Sequence, residues 1–267
     1  MMPCRILGAG IAAPGLPDWD TAREILSGRA AYAAGEPPRP NAVRLPPNER
    51  RRAGASTRLA LAVADEAVRM AGIDPVHAAS VFASASGDLH LMHAVCETLS
   101  RPEPALSPTV FHNSVHNAPA GYWSIATGAR APYTAISAQT FSFAAGLTEA
   151  LTQLHCEGGP VLLVAYEVPP PFPLDACVAM RQPFACALVL AADDSDADGL
   201  ARLRLAGPRS DAADARPFAD PGLEALHRDN PAAAALPLLA LLATRQAGRT
   251  ALPMTAETYL LVSLQPC

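Results

Sequence analysis

The run Pro160–Tyr166, PVLLVAY, constrains the fold more than any other stretch of the chain. An extended strand alternates its side chains between two faces, so an uninterrupted apolar run has no face left for water. The run therefore predicts a strand covered on both sides, and the natural architecture is an α/β sandwich with a largely parallel sheet between helical layers. The rest of the chain alternates in the same spirit. Strands are predicted at Arg5–Ala12, Ala79–Ala85, Tyr133–Ala138, Phe184–Ala191, Leu200–Ala206 and Tyr259–Leu264. Helices are predicted at Asp18–Ser27, Ser56–Ala71, Leu89–Ser100, from Ser114 or Ala118 to Thr127, at Phe141–Cys156 and at Ala232–Ala247.

The helix at Ser56–Ala71 carries the clearest signals: Leu59, Val63, Ala67 and Met70 share one face, Ser56 or Thr57 offers an N-cap, and Gly72 a stop. EPPRPNAVRLPP and VPPPFPL read as extended surface loops, DDSDADG as an acidic turn, and the stretch from Ala206 to Asp229 as a loop.

Composition narrows the functional classes. The chain has 267 residues, a net charge of −5, and 20 basic residues that are all arginine. Without lysine there is no Schiff-base or P-loop lysine, and the charge balance argues against a nucleic-acid face. The longest apolar candidate for a membrane span, around Ala232–Ala243, falls short of about 20 residues and is interrupted by Pro237. The six cysteines show no zinc-type spacing, and several lie in apolar runs, which predicts buried, reduced thiols in a cytoplasmic protein. His112 and His116 are four apart, but HNSVH lacks the glutamate of a zinc-protease helix, so no metal is expected there. The G-x-G-x-x-A of GAGIAAPG is followed by Pro14 and Pro17, a poor start for a phosphate-cradling helix, and no cofactor is expected.

The stretch TAISAQTFSFAAGL, Thr134–Leu147, has the layout of a strand that delivers a reactive side chain to a helix N-terminus. At the point of delivery stands Gln139. Ser137 belongs to the strand and lacks a G-x-S-x-G turn, so a hydrolase dyad is not favoured.

Taken in order, ILGAGIAAPGLPDWDTAREILSGRAAY, LPPNERRRAGASTRLALAVADEAV, ARAPYTAISAQTFSFAAGLTEAL and GGPVLLVAYE resemble the N-terminal half of β-ketoacyl synthases of the thiolase-like fold. The resemblance covers roughly residues 5 to 192. SPTVFHNSVHNAPAGYWSIATG is similar to a shorter ketosynthase-like subfamily found with aryl-polyene and related polyketide-type gene clusters. It implies a thiolase-like half over residues 1–192, helices on both faces of a mixed, mostly parallel five-stranded sheet, and a C-terminal extension over 193–267 packed on the same domain.

In a condensing member of the family a cysteine ends the elbow strand, and two histidines and a lysine come from the second half. Here Gln139 aligns with that cysteine, only His227 follows Leu190, and the remaining 75 or so residues are too few for a complete second half. Gln at this position resembles the chain-length factors of type II polyketide synthases. The resemblance therefore implies a catalytically silent subunit that heterodimerises with a complete β-ketoacyl synthase and shapes its acyl tunnel in polyketide, aryl-polyene or fatty-acid-type biosynthesis.

On that reading Phe111, Tyr122, Trp123 and Phe141, with His112, Asn113, His116 and Asn117, belong to the tunnel or interface. Arg50, Arg51 and Arg52 are candidates for contact with the partner or an acyl carrier protein. The alternatives are a malonyl-carrier-protein decarboxylase using Gln139, and a non-catalytic homodimer that binds an acyl chain or carrier protein.

Overall fold

The computed structural model describes residues 2–178, 180–193, 198–210 and 217–267, so the acidic turn at 193–199 falls mostly outside the described residues. In chain order the elements are β1 (Met2–Ala12), α1 (Trp19–Leu26), α2 (Pro47–Arg52), α3 (Ala55–Ala71), β2 (Ala79–Ala83), α4 (Leu89–Leu99), α5 (Pro108–Ser114), α6 (Ala118–Thr127), β3 (Tyr133–Ile136), α7 (Ser142–Glu157), β4 (Val161–Glu167), β5 (Phe184–Ala191), β6 (Ala201–Arg209), α8 (Pro221–Asp229), α9 (Leu236–Thr244), β7 (Gly248–Pro253) and β8 (Tyr259–Pro266). Among the described residues the strands form one sheet in the order β3-β2-β4-β5-β1-β6-β8-β7.

The two-faced strand is found as expected. Val161, Leu163 and Ala165 of β4 join the core beneath α7, α1 and α9, while Leu162, Val164 and Tyr166 join a second core beneath α3 and α6. β5 alternates in the same way. Residues 1–192 supply the five expected strands, β1 to β5, and the C-terminal segment adds three to the same sheet; the expectation of a mostly parallel sheet is corrected, since only the β2–β3 and β2–β4 pairs are parallel among the described residues. Burial on both faces depends on the helical layers and is indifferent to strand direction, so β4 can run parallel to β2 and antiparallel to β5.

The C-terminal segment continues the sheet past β1. β6 alternates buried and exposed residues, with Leu203 and Leu205 inward and Arg202 and Arg204 outward, so this part is covered on one face. The stretch expected as loop up to Asp229 contains α8, capped by Asp220, whose carboxylate accepts the Gly222 and Leu223 N–H groups. The predicted helix at 232–247 begins as a 3-10 turn at Pro231–Ala235 and ends at Thr244. β7 follows it, in a stretch between the predicted helix and the predicted last strand where no element is expected from the sequence.

α3 begins one residue earlier than predicted, with Gly54 at the N-cap, because the Ser56 hydroxyl is committed to Asp88 instead. Gly72 stops it in the left-handed conformation, at φ 63°. α3 lies so close to β1 that a Cβ on Gly8 would meet the Ala67 carbonyl oxygen at 2.1 Å, and one on Gly10 the Val63 carbonyl oxygen at 2.3 Å. The glycines of GAGIAAPG thus serve helix seating. Glu66 on the same helix accepts the Ile11 N–H at 3.0 Å and the Trp19 N–H at 2.6 Å, fixing the turn between β1 and α1.

Cys4 and Cys186 are buried, and burial foremost pushes the Cys4 thiol up to about 12. The other four cysteines are exposed, correcting the expectation of buried thiols for those positions: Cys96 and Cys156 occupy the outward sides of α4 and α7. No described helix is long and apolar enough to cross a membrane.

Gly8→Ala or Gly10→Ala is expected to lower stability by about 1–3 kcal/mol through overpacking. Gly121→Ala in α6, where an added Cβ meets nothing within 4 Å, should be neutral or stabilising by up to about 1 kcal/mol. Urea denaturation of the three variants measures both effects.

Candidate functional site

The site is assembled at the ends of the parallel strands. β2, β3 and β4 finish side by side, with Ala83 opposite both Ile136 and Ala165, so the residues that follow them share one rim of the sheet. After β3 the chain turns through Ser137 and Ala138 into a single 3-10 turn, Gln139–Phe141, and then α7. Gln139 has φ 52°, in the left-handed region that costs a residue with a Cβ about 1–2 kcal/mol.

Ser142 holds that geometry. Its hydroxyl accepts the Ala138 N–H at 3.0 Å and donates to the Gln139 carbonyl at 2.7 Å, while the Ser137 hydroxyl donates to the Ala85 carbonyl at 3.0 Å. Beneath, Gly146 of α7 packs so tightly that a Cβ there would sit 2.8 Å from Ala83 Cβ, and the 3-10 turn at 231–235 packs against the elbow. A short strand, a strained residue and an immediate helix N-terminus form an elbow that presents residue 139 outward. In this chain Gln139 is exposed.

Beside the elbow, the 84–87 loop is braced from below. Glu167, the residue that closes β4, is 1% exposed, and its Oε1 accepts the Ser84 hydroxyl at 2.9 Å and the Ala85 N–H. Its Oε2 has no partner among the described residues, and burial pushes the carboxyl up to about 7 against the opposing pull of these hydrogen bonds. Ser84 also accepts the Gly87 N–H, and its carbonyl lies 3.1 Å from His116 Nε2. Sequence reasoning missed Glu167. The available signal was a carboxylate ending a fully apolar strand.

The remaining expected residues separate into two groups. Tyr122 and Trp123 are 3% and 1% exposed and belong to the core under α3 and α6, so the expectation that they floor a tunnel or anchor an interface is corrected. Their position follows from α6, which turns this side toward β2 and α3. Asn113 is buried with them: it accepts the Tyr122 hydroxyl at 2.9 Å and donates to the Arg52 carbonyl at 2.9 Å, joining α5, α6 and the end of α2. Phe141 is partly buried in the elbow turn.

Phe111, His112 and Asn117 are exposed, as are Arg51 and Arg52, while Arg50 is partly buried. The three arginines occupy the last turn of α2, where cations complement the helix dipole. His227, the histidine of the C-terminal part, stacks edge-on against Phe218 and lies 3.9 Å from Glu224. Among the described residues no group of three or more potential ligands could hold a metal ion.

The helices α4 and α5 lack cover. None of the eleven residues of α4 is buried, although its sequence, LHLMHAVCETL, is mostly apolar. It packs mainly on α5, and the two helices with α6 and β3 expose Met92, Leu99, Phe111, Val115, Ile125 and Tyr133. β3 is the first strand in the sheet order and has no strand on its outer side among the described residues.

A family model for the β-ketoacyl synthase N-terminal domain matches residues 26–252. The chain belongs to the β-ketoacyl synthase N-terminal domain family. The ketosynthase-like chain is similar to solved structures along its whole length, which establishes the thiolase-like fold. One is titled as the ketosynthase ApeO in complex with its chain length factor ApeC from Xenorhabdus doucetiae, with 24% identity, 98% of this chain and 100% of that chain covered, and a TM-score of 0.73.

A second is the ishigamide ketosynthase/chain length factor, at 13% identity, 100% and 99% coverage and a TM-score of 0.75. A third, AntDE:AntF, is described as a type II PKS acyl-carrier protein in complex with its ketosynthase bound to the hexaketide, at 12% identity, 100% and 99% coverage and a TM-score of 0.75. Among curated proteins no relative matches.

Two outcomes are expected at the site. Gln139→Val, with a β-branched side chain at positive φ, should lower stability by about 1–2 kcal/mol, while Gln139→Gly should hold or raise it. Glu167 has a folded value raised to about 7 from an ordinary 4.5, so its contribution is fully present below about pH 4.5 and is lost as pH rises through 7. Relative to Glu167→Gln, the wild type should therefore lose on the order of 2 kcal/mol between pH 5 and pH 8, read from urea melts of both proteins across that range.

Proposed function

We propose that this chain is a catalytically silent, chain-length-factor-like subunit that pairs with a complete β-ketoacyl synthase and shapes the acyl tunnel of that partner. The observation that carries the reading is Gln139 at the left-handed elbow. The backbone there retains the shape that presents a nucleophile at a helix N-terminus, yet the side chain is an amide, which cannot form an acyl thioester. Ser137, Ala138 and Thr140 place no thiol beside it, and the chain has no lysine.

The uncovered face supports the partner. Met92, Leu99, Phe111, Val115, Ile125 and Tyr133, on or next to α4, α5, α6 and β3, stand exposed, and β3 has an open edge among the described residues. An apolar patch of this kind, next to an unpaired edge, marks an interaction surface. Phe111, Leu99 and Ile125, at 60%, 59% and 53% exposure, are the natural anchors. In similar structures chain length factors occur with ketosynthases, and AntDE with an acyl carrier protein. By the same likeness an acyl carrier protein visits the assembly, and the arginines of α2 are its candidate contact.

Co-expression with the cognate ketosynthase followed by size exclusion with light scattering should give a stable 1:1 heterodimer. Phe111→Asp and Ile125→Asp should weaken it at least tenfold while leaving the melting temperature of the isolated chain within a few degrees, since both side chains are already in water. Failure to associate, together with carbon dioxide release from malonyl carrier protein that disappears in Gln139→Ala, would overturn the silent-subunit reading in favour of decarboxylation.

A further inference from the structure

A cleft of about 730 Å³ opens between the 37–41 loop, the first turn of α3, the start of α4 and the loop joining β4 to β5. None of the elbow residues and none of the six exposed apolar side chains lines it. Its volume lies in the range of small-molecule sites, about 300–1,000 Å³. Six of the fourteen lining residues are prolines, whose rings have fixed φ and no N–H, so much of the wall is apolar and conformationally preset. Leu59 adds to that apolar wall, and His90 Nε2 lies 3.0 Å from the Pro169 carbonyl, tying α4 to the far wall.

The charge on the rim has one sign. Arg39, Arg58 and Arg181 line the cleft and no acidic residue does. Arg39 meets Glu36 at 3.5 Å, but both side chains are more than 80% exposed, a pairing of little worth in water. Among the described residues neither Arg58 nor Arg181 has a carboxylate within ion-pair distance. Asp88, near the start of α3, is occupied by the Ser56 hydroxyl and the Leu91 N–H and does not line the cleft. Elsewhere in this net-negative protein Arg23, Arg29, Arg44, Arg52, Arg69, Arg202 and Arg228 all face acidic partners. Arg50, Arg51, Arg101, Arg130, Arg204, Arg209, Arg245 and Arg249 likewise have no carboxylate within ion-pair distance among the described residues, so what distinguishes Arg58 and Arg181 is their place on the wall of an apolar hollow that no acidic residue lines.

We infer that this cleft binds an amphipathic organic anion, its carboxylate or phosphate head held by Arg58 and Arg181 and its apolar body lying against the proline wall. The guanidinium fork matches the oxygens of either head group bidentately, and a wall rich in proline rings, which lack an N–H, favours a hydrocarbon or aryl body over a sugar. Site and ligand are independent of the ketosynthase partner, so absence of a heterodimer leaves this inference standing.

Titration calorimetry on the full chain tests it, with octanoate and octyl phosphate as amphipathic anions, and 1-octanol and inorganic phosphate as the separated halves. One saturable site is expected for at least one of the two anions, at least tenfold tighter than for 1-octanol or inorganic phosphate. The tighter of the two identifies the head group. Arg58→Gln/Arg181→Gln should weaken that binding at least tenfold. If the double variant melts early, Arg181→Gln alone, on an exposed loop, should still weaken it measurably. Absence of saturable binding by either anion, equal binding of 1-octanol, or affinity that survives the substitutions would overturn the inference.

Discussion

The seating of α3 on β1 is the contact on which most of this architecture rests. With no Cβ at Gly8 or Gly10, helix backbone comes against strand backbone, and the helix lies low enough to touch β1, β5 and β4 together. That depth closes one face of the central strands and lets Glu66 reach the N–H groups of Ile11 and Trp19. It also sets where α3 begins. Ser56 then meets Asp88, which caps α4, so the position of the apolar α4 traces back through one hydroxyl to two glycines of the first strand.

At the rim of the sheet, polar groups replace packing as the organising force. Glu167, Ser84, Ser137, Ser142, His116 and Asn113 each tie together segments that lack regular pairing, mostly by accepting or donating to backbone. Such collars are costly when incomplete, because a buried donor or acceptor without a partner forfeits its hydration. The unpartnered Oε2 of Glu167 is the visible cost here, and burial is what raises that carboxyl to about 7. The strained elbow persists because Ser142 and the 3-10 turn at 231–235 fix it from two sides.

The sequence made the buried strands, α3 with its Gly72 stop and the strand–elbow–helix around Gln139 legible, because each depends on local periodicity or on a single residue with a strong conformational bias. Strand direction was hidden. PVLLVAY reports only that both faces are dry, and the antiparallel neighbour of β4 is decided by a segment that begins seventeen residues after it ends. α2, α5 and α8 were obscured by prolines that open helices here, at Pro47, Pro108 and Pro221. Tyr122 and Trp123 looked like interface residues because aromatics are scarce in this chain, yet scarcity says nothing about which side of a helix faces the sheet. Glu167 and the arginine-rimmed cleft draw on residues scattered from 39 to 181, a juxtaposition that appears only once the chain is folded.

The place of β1 in the sheet has a further consequence. This first strand lies between β5 and β6, with Arg5 opposite Ala191 on one side and Arg202 on the other. During synthesis β1 has neither of these neighbours until β5, which ends at Ala191, has followed it, whereas β2, β3 and β4 can meet before that. Closure of the sheet thus awaits a contact between distant parts of the chain, with the large loop entropy that such a contact carries. Until then the apolar faces of β1 can be sheltered only by helices, α3 through the glycine contact on one side and α1 and α7 on the other.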